Sequence, residues 1–196
     1  MPTRIRKQVQ RSFLRDDKHW FAHYKPFVDS GKILKVGYGL GYVTQLVKSV
    51  NPHVVSTDIM RHSDSLDDPD VVYVDGEELP FPDRSFDVVI CSMTVHHTRR
   101  PTRMMGEMVR VARKHVILID TVARQPIAYA AMVWACYRAN QHAGQFSTVL
   151  PWNYLTPRKV QRWVGQYGLV EELHHREPRE RGYEAHLWVW RVSDKI

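Results

Sequence analysis

The chain has 196 residues, 43% of them hydrophobic, and its 28 Lys plus Arg against 21 Asp plus Glu give a formal charge of +7. That length suits one domain with a sizeable core and leaves little room for two, while the basic excess keeps an anionic partner, nucleic acid included, under consideration. The longest apolar run, Pro126 to Tyr137, is far short of the roughly 20 residues that span a bilayer, and Cys91 and Cys136 form no disulfide framework, so a cytoplasmic chain with no membrane span is expected.

In chain order, the first segment places Ile5, Val9 and Phe13 on one side, with Arg4, Arg6, Lys7, Arg11 and Arg15 on the others. This spacing predicts an amphipathic basic helix within residues 1–30. An aromatic-rich piece, "HWFAHYKPFV", and the turn "DSGK" follow it. Strand-like and helix-like runs then alternate: Lys32–Val36 (strand), Val43–Val50 (helix), His53–Thr57, Val71–Val74 and Phe86–Met93 (strands), Pro101–Arg113 (helix) and His115–Asp120 (strand). Apolar strands separated by helices predict an α/β fold with a parallel sheet covered on both faces. Residues from about Gln125 to Asn140 read as a long apolar helix. "TPRKVQRWVGQYG" reads as another, with Thr156 at the N-cap and Gly168 at the stop. "LVEELHH" and "YEAHLWVWRV" read as a closing hairpin around the charged "REPRERG".

The stretch "ILKVGYGLGYVTQLV" carries the first chemistry. Gly37, Gly39 and Gly41 stand between a strand and a helix, where glycine lets backbone approach a ligand closely. The position that would complete a dinucleotide GxGxxG is Tyr42, which argues against a nicotinamide-dependent oxidoreductase. About 20 residues on, Asp58 ends the next strand, where a carboxylate can accept from ribose hydroxyls or simply cap a turn.

With "KVGYGLG", "STDIM", "VDGEELPFPDRSFDVVI" and "TVHH" in that order, the stretch from Ile33 to about Asp120 resembles the class I S-adenosylmethionine-dependent methyltransferases of the small-molecule type. The resemblance implies a Rossmann-like fold: a mostly parallel seven-stranded sheet with a C-terminal antiparallel hairpin and helices on both faces. Residues 31–196 would be the methyltransferase domain and 1–30 a helical lid, with Trp20, Phe21, Tyr24 and Phe27 making apolar contacts to the cleft. It also implies S-adenosylmethionine as cofactor. Gly37, Gly39 and Gly41 would pass beneath its methionine part and Asp58 would bind the ribose. Ile59 and Met60 would pack on the adenine and Asp75 would accept from its amino group, while the backbone of Cys91 and Ser92 would lie beside the methionine moiety. The departure is Lys35, which stands where the family has an acidic residue; its amine would either face the ligand or turn to solvent. Tyr38 and Leu40 are bulkier than is usual between the glycines.

Methyl transfer from a sulfonium needs mainly positioning, and a general base helps where the acceptor is a hydroxyl. His96 and His97 follow the fourth strand, where such a base would stand; a structural hydrogen bond is the other reading. No third ligand at a recognisable spacing completes a metal site around them. Tyr129, Met132 and Trp134 are candidates for an apolar acceptor site or a dimer face, with core packing the simpler role. The expected activity is methyl transfer to a small-molecule acceptor, oxygen ahead of carbon and nitrogen. The alternatives are a catalytically degenerate binding protein and a nucleic-acid methyltransferase. For the latter, Arg99, Arg100, Arg103, Arg110, Arg113 and Lys114 would join the basic helix in a phosphate track.

Overall fold

A computed structural model describes residues 3–62, 65–123, 126–143, 153–179 and 183–193. The apolar, β-branched runs form the strands β1 (Ile33–Val36), β2 (Val54–Asp58), β3 (Val71–Tyr73), β4 (Phe86–Ser92) and β5 (Ala112–Ala123), with β6 (Val170–Pro178) and β7 (Tyr183–Arg191) closing the chain. They make one seven-stranded sheet in the order β3-β2-β1-β4-β5-β7-β6. β1 to β5 run parallel, and β7 is antiparallel to both β5 and β6.

Side chains alternate between two cores because successive residues of a strand face opposite ways. Leu34, Val36, Val89 and Cys91 pack with Met104, Met108 and Trp163 on one face. Ile33, Val88 and Ile90 pack with Trp20, Tyr24, Val43 and Val47 on the other. The first face is covered by α3 (Pro101–Val111) and α5 (Pro157–Gln166), the second by α1 (Thr3–Tyr24) and α2 (Tyr42–Lys48). The remaining helix, α4 (Pro126–Ala143), follows β5. At α5 the Thr156 side chain accepts from the Lys159 amide at 3.3 Å, Pro157 occupies the first turn, and Gly168 takes a φ of 57° past the end. These are the start and stop the sequence implies.

Three boundaries differ from the sequence reading. α1 runs unbroken through "HWFAHY", because nothing breaks the helix before Pro26, where a short 3-10 turn begins. β5 begins directly at the end of α3 and extends to Ala123, since β7 pairs with its whole second half as far as Ala123 opposite Tyr183. The "REP" of the charged stretch belongs to β6 rather than to a loop, with Glu177 held 2.6 Å from His19 of α1.

The strand order reverses between β1 and β4. In an open α/β sheet the crevice outside the carboxyl ends of such strands is where ligands bind.

Candidate functional site

A cleft of about 720 Å³ lies at that switch point, bounded by the loops after β1, β2, β3 and β4, by one stripe of α1, and by α4. The glycine loop forms its floor. Gly37 has a φ of 77°, and a Cβ there would run into Thr94; Gly41 has a φ of 88°, and a Cβ there would run into the Tyr38 ring. Both positions therefore require glycine for backbone conformation and for space. The bulk of Tyr38 and Leu40 is absorbed inward: they are only 5% and 4% exposed, and the Tyr38 hydroxyl donates to the Leu66 carbonyl at 3.0 Å.

Asp58 ends β2 and spans the loop. Its carboxylate accepts from the amide of Gly39 at 2.8 Å and from that of Met60 at 3.3 Å, and His62 stands 3.6 Å away. Burial favours the neutral acid, but His62 and the two amides outweigh it and hold the group below the usual carboxylate range. Ile59 offers an exposed apolar face to the cleft, and Met60, Asp75 and Ser92 also line it. The Cys91 side chain does not: it is packed in the core behind β4. The loop carrying Asp75 is anchored by Glu77, whose carboxylate accepts from the Arg100 amide at 2.8 Å and from its guanidinium at 2.6 Å.

Lys35 is 1% exposed and on the cleft, so the reading that turns its amine to solvent does not hold. The chain after β1 curls around it, and its Nζ donates to the carbonyls of Val36, at 3.0 Å, and Gly37. Burial pulls the amine below its ordinary value, opposed by Cys91, Asp17 and Asp58. Asp17, on the cleft side of α1, is raised to about 7 by burial, with Lys35 pulling the other way.

On the opposite wall, a 3-10 turn at Val95–His97 follows β4, after Met93 takes a φ of 51° that a non-glycine residue seldom adopts. It brings His96 and His97 side by side, with ring centroids 4.2 Å apart. His96 is buried; its Nδ1 stands 2.6 Å from Oδ1 of Asp120, near the end of β5, and Tyr154 stacks on its ring at 4.7 Å. Its Nε2 is 3.6 Å from Cys136 Sγ of α4, and His97 Nε2 is 3.4 Å from the same sulfur. Burial works against the imidazolium, but Asp120 more than offsets it and raises His96 to about 10. The Cys136 thiol, pushed up by burial, is brought down to about 6 by the two histidines.

Four groups of this site escaped the sequence reading. Asp120 was visible as the last residue of a predicted strand, but Asp17, Cys136 and Tyr154 reach the cleft only through packing. Of the four aromatics expected on it from residues 1–30, Trp20 lines it; Phe21 packs edge-on against Tyr24, Tyr24 is fully buried in the core and Phe27 packs on His115. The stripe that faces the cleft is Phe13, Asp16, Asp17 and Trp20, one side of a helix. Of the α4 candidates Met132 lines the cleft, Tyr129 packs on Tyr154, and Trp134 is 54% exposed with Arg138 over its ring. The second basic cluster is largely neutralised in ion pairs: Arg100 with Glu77, Arg103 with Glu78, Arg110 with Asp83, and Arg113 and Lys114 with Asp87. No helix among the described residues is long and apolar enough to cross a membrane.

Residues 34–119 match the family model of a methyltransferase domain. A Bos taurus protein named "Probable tRNA methyltransferase 9B" is 31% identical over 117 residues, which make up 60% of this chain and 23% of that one. A phosphatidylethanolamine N-methyltransferase of Cereibacter sphaeroides is 36% identical over 76 residues, 38% of this chain and 37% of that one. The chain thus spans well under two thirds of either relative's length. In fold it is similar to the magnesium protoporphyrin IX methyltransferase of Synechocystis PCC 6803, solved with bound SAH, at a TM-score of 0.66 and 13% identity over 97% of this chain and 86% of that one. In its residues 34–119 the chain is similar to the methyltransferase-domain family, and its fold is that of solved methyltransferases of the S-adenosylmethionine-dependent kind.

Proposed function

We propose that the chain transfers a methyl group from S-adenosylmethionine to a small-molecule acceptor, with oxygen the favoured acceptor atom. The observation that carries this is the cleft itself: a glycine floor, the Asp58 carboxylate at its edge and the buried His96–Asp120 pair on its opposite wall.

The residues present fit the cofactor on one side and strain the fit on the other. Glycine backbone open to the cleft, an ionised Asp58 and the exposed face of Ile59 suit a ribose and an adenine, with Asp75 in reach of the cleft for the exocyclic amine. Lys35 brings a cation to the methionine end, where the methyl donor itself is cationic. Two features bear on the conflict: burial disfavours the charged form of its amine, and Asp17 brings a carboxyl group to the same end of the cleft from α1.

When bound, the cofactor supplies an activated methyl group on sulfur. This chain's residues then position and desolvate. Residues 1–30, through Phe13, Asp17 and Trp20 of α1, act as the lid over the cleft and exclude water. Ser92, with Met93 and Thr94, forms the β4 end of the floor. His96, oriented by Asp120, and His97 stand on the acceptor side, His97 taking the proton of an acceptor hydroxyl. Met132 and Tyr154 provide the apolar wall.

A second reading, a protein of this fold that no longer transfers methyl groups, is favoured by Lys35 alone. Isothermal titration with S-adenosylmethionine, S-adenosylhomocysteine and NAD separates the two. Binding of both sulfur compounds without NAD is expected. Binding of neither overturns the proposal in favour of the second reading.

A further inference from the structure

We infer that His96, His97 and Cys136 form a binding site for a divalent transition-metal ion of the zinc type, with a fourth coordination position opening into the cleft. The three donor atoms lie within 4.8 Å of one another, and Cys136 Sγ stands 3.6 Å from His96 Nε2 and 3.4 Å from His97 Nε2. Zinc bonds of about 2.3 Å to sulfur and 2.0–2.1 Å to nitrogen, at the tetrahedral angle, set the sulfur-to-nitrogen edge at about 3.6 Å. Both sulfur-to-nitrogen separations therefore already match the edges of such a polyhedron.

The surroundings have the form such a site needs. A ligating histidine usually passes its other ring N–H to a carboxylate, which fixes tautomer and orientation. His96 does so, its Nδ1 lying 2.6 Å from Asp120, and Tyr154 stacked on the ring prevents it from turning away. One thiolate and one carboxylate balance the charge of a dication. The donors come from two elements, the 3-10 turn after β4 and α4, so no short spacing in the sequence reveals them.

Three protein ligands with an open position are the pattern of catalytic rather than structural zinc. Since all three residues line the cleft, the fourth ligand would come from the acceptor as a hydroxyl or thiol. That group displaces a bound water, loses its proton to solvent and presents an anion to the methyl donor, a role that rests on the methyl-transfer reading. The metal site itself does not rest on it. His97 would then act through the ion instead of taking the proton itself.

The other cluster of three among the described residues, His19, His23 and His175, serves as the internal control. Two of its rings stack, His23 on His175 at 4.3 Å, and His19, edge-on to His23, is paired with Glu177.

The test uses the full chain without a histidine tag. Titration with Co²⁺ is expected to give, at one equivalent, a thiolate-to-cobalt charge-transfer band in the near ultraviolet and visible bands of tetrahedral strength. These bands disappear in Cys136→Ser and His97→Ala and persist in His23→Ala. Asp120→Asn weakens Co²⁺ binding about 10- to 100-fold, as loss of an orienting carboxylate does. In the unmutated chain, Zn²⁺ protects Cys136 from iodoacetamide, read by peptide mass spectrometry, which requires no variant to fold. An unchanged alkylation rate in excess Zn²⁺, bands that survive Cys136→Ser, or bands lost in His23→Ala would each overturn the inference. A parallel titration with S-adenosylhomocysteine keeps its failure distinct from failure of the cofactor assignment.

Discussion

Oδ1 of Asp120 lies 2.6 Å from Nδ1 of His96, both side chains almost wholly out of solvent, and the same oxygen accepts from the Thr121 amide at 2.7 Å. Removing one member of a buried pair leaves the other uncompensated, which typically costs about 3–5 kcal/mol. Asp120→Ala is therefore expected to lower unfolding free energy by about that amount, measured by urea titration. Asp120→Asn, which can still accept from the Thr121 amide, should lose less. Equal stability of Asp120→Ala and the unmutated chain would show that the pair contributes nothing.

Asp58 both holds the glycine loop, through the Gly39 amide, and presents its carboxylate at the cleft. Replacing it by alanine removes a charged hydrogen-bond acceptor from a bound ribose and releases the loop. S-adenosylhomocysteine affinity should fall by about 1–3 kcal/mol, or roughly 5- to 150-fold, in isothermal titration. An unchanged dissociation constant removes Asp58 from the ribose role.

These two sites also mark what the chain discloses before it is folded. The glycine loop, Asp58 and the strand alternation are local: a turn needs glycine at Gly37 and Gly41, and a strand buried on both faces needs apolar residues throughout, so both can be read from neighbours in sequence. The sheet order, by contrast, was implied by resemblance and not by pattern. Asp17 meets Lys35, and Cys136 meets His96, only because α1 and α4 close over the same end of the sheet. The sign of the local anomaly at Lys35 was legible; its surroundings were not, since a four-residue strand says nothing about the helix that covers it.

Asp17 makes stability depend on pH. Its folded value, about 7, lies above the 3.8 of a free carboxyl, so the folded state holds the proton more tightly than the unfolded chain. The contribution of Asp17 to stability therefore falls as pH rises from about 4 to about 7 and is level above that. Asp16 and Lys35 bear on the same group, and the side chain is only part-buried, so the slope is expected to total on the order of 1–2 kcal/mol. Asp17→Asn removes it. Unfolding curves of the variant and the unmutated chain should converge near pH 4.5 and separate by pH 7.5, the variant being the more stable; parallel curves across that range would rule out a perturbed Asp17.

Lys35 offers the sharpest test of the cofactor assignment, because the two cofactor forms differ by one charge. S-adenosylmethionine carries a sulfonium where S-adenosylhomocysteine carries a neutral thioether, so a buried ammonium near the methionine end penalises the first and not the second. At an effective dielectric near 20, two unit charges about 10 Å apart interact by about 1–2 kcal/mol, roughly 5- to 30-fold in affinity. The unmutated chain should therefore prefer S-adenosylhomocysteine, and Lys35→Met, which keeps the length of the side chain without its charge, should narrow that preference by the same factor. Raising the pH toward the lowered value of the amine should narrow it as well. A preference indifferent to both changes would mean that Lys35 carries no charge felt at the methionine end, and would remove it from the cofactor site.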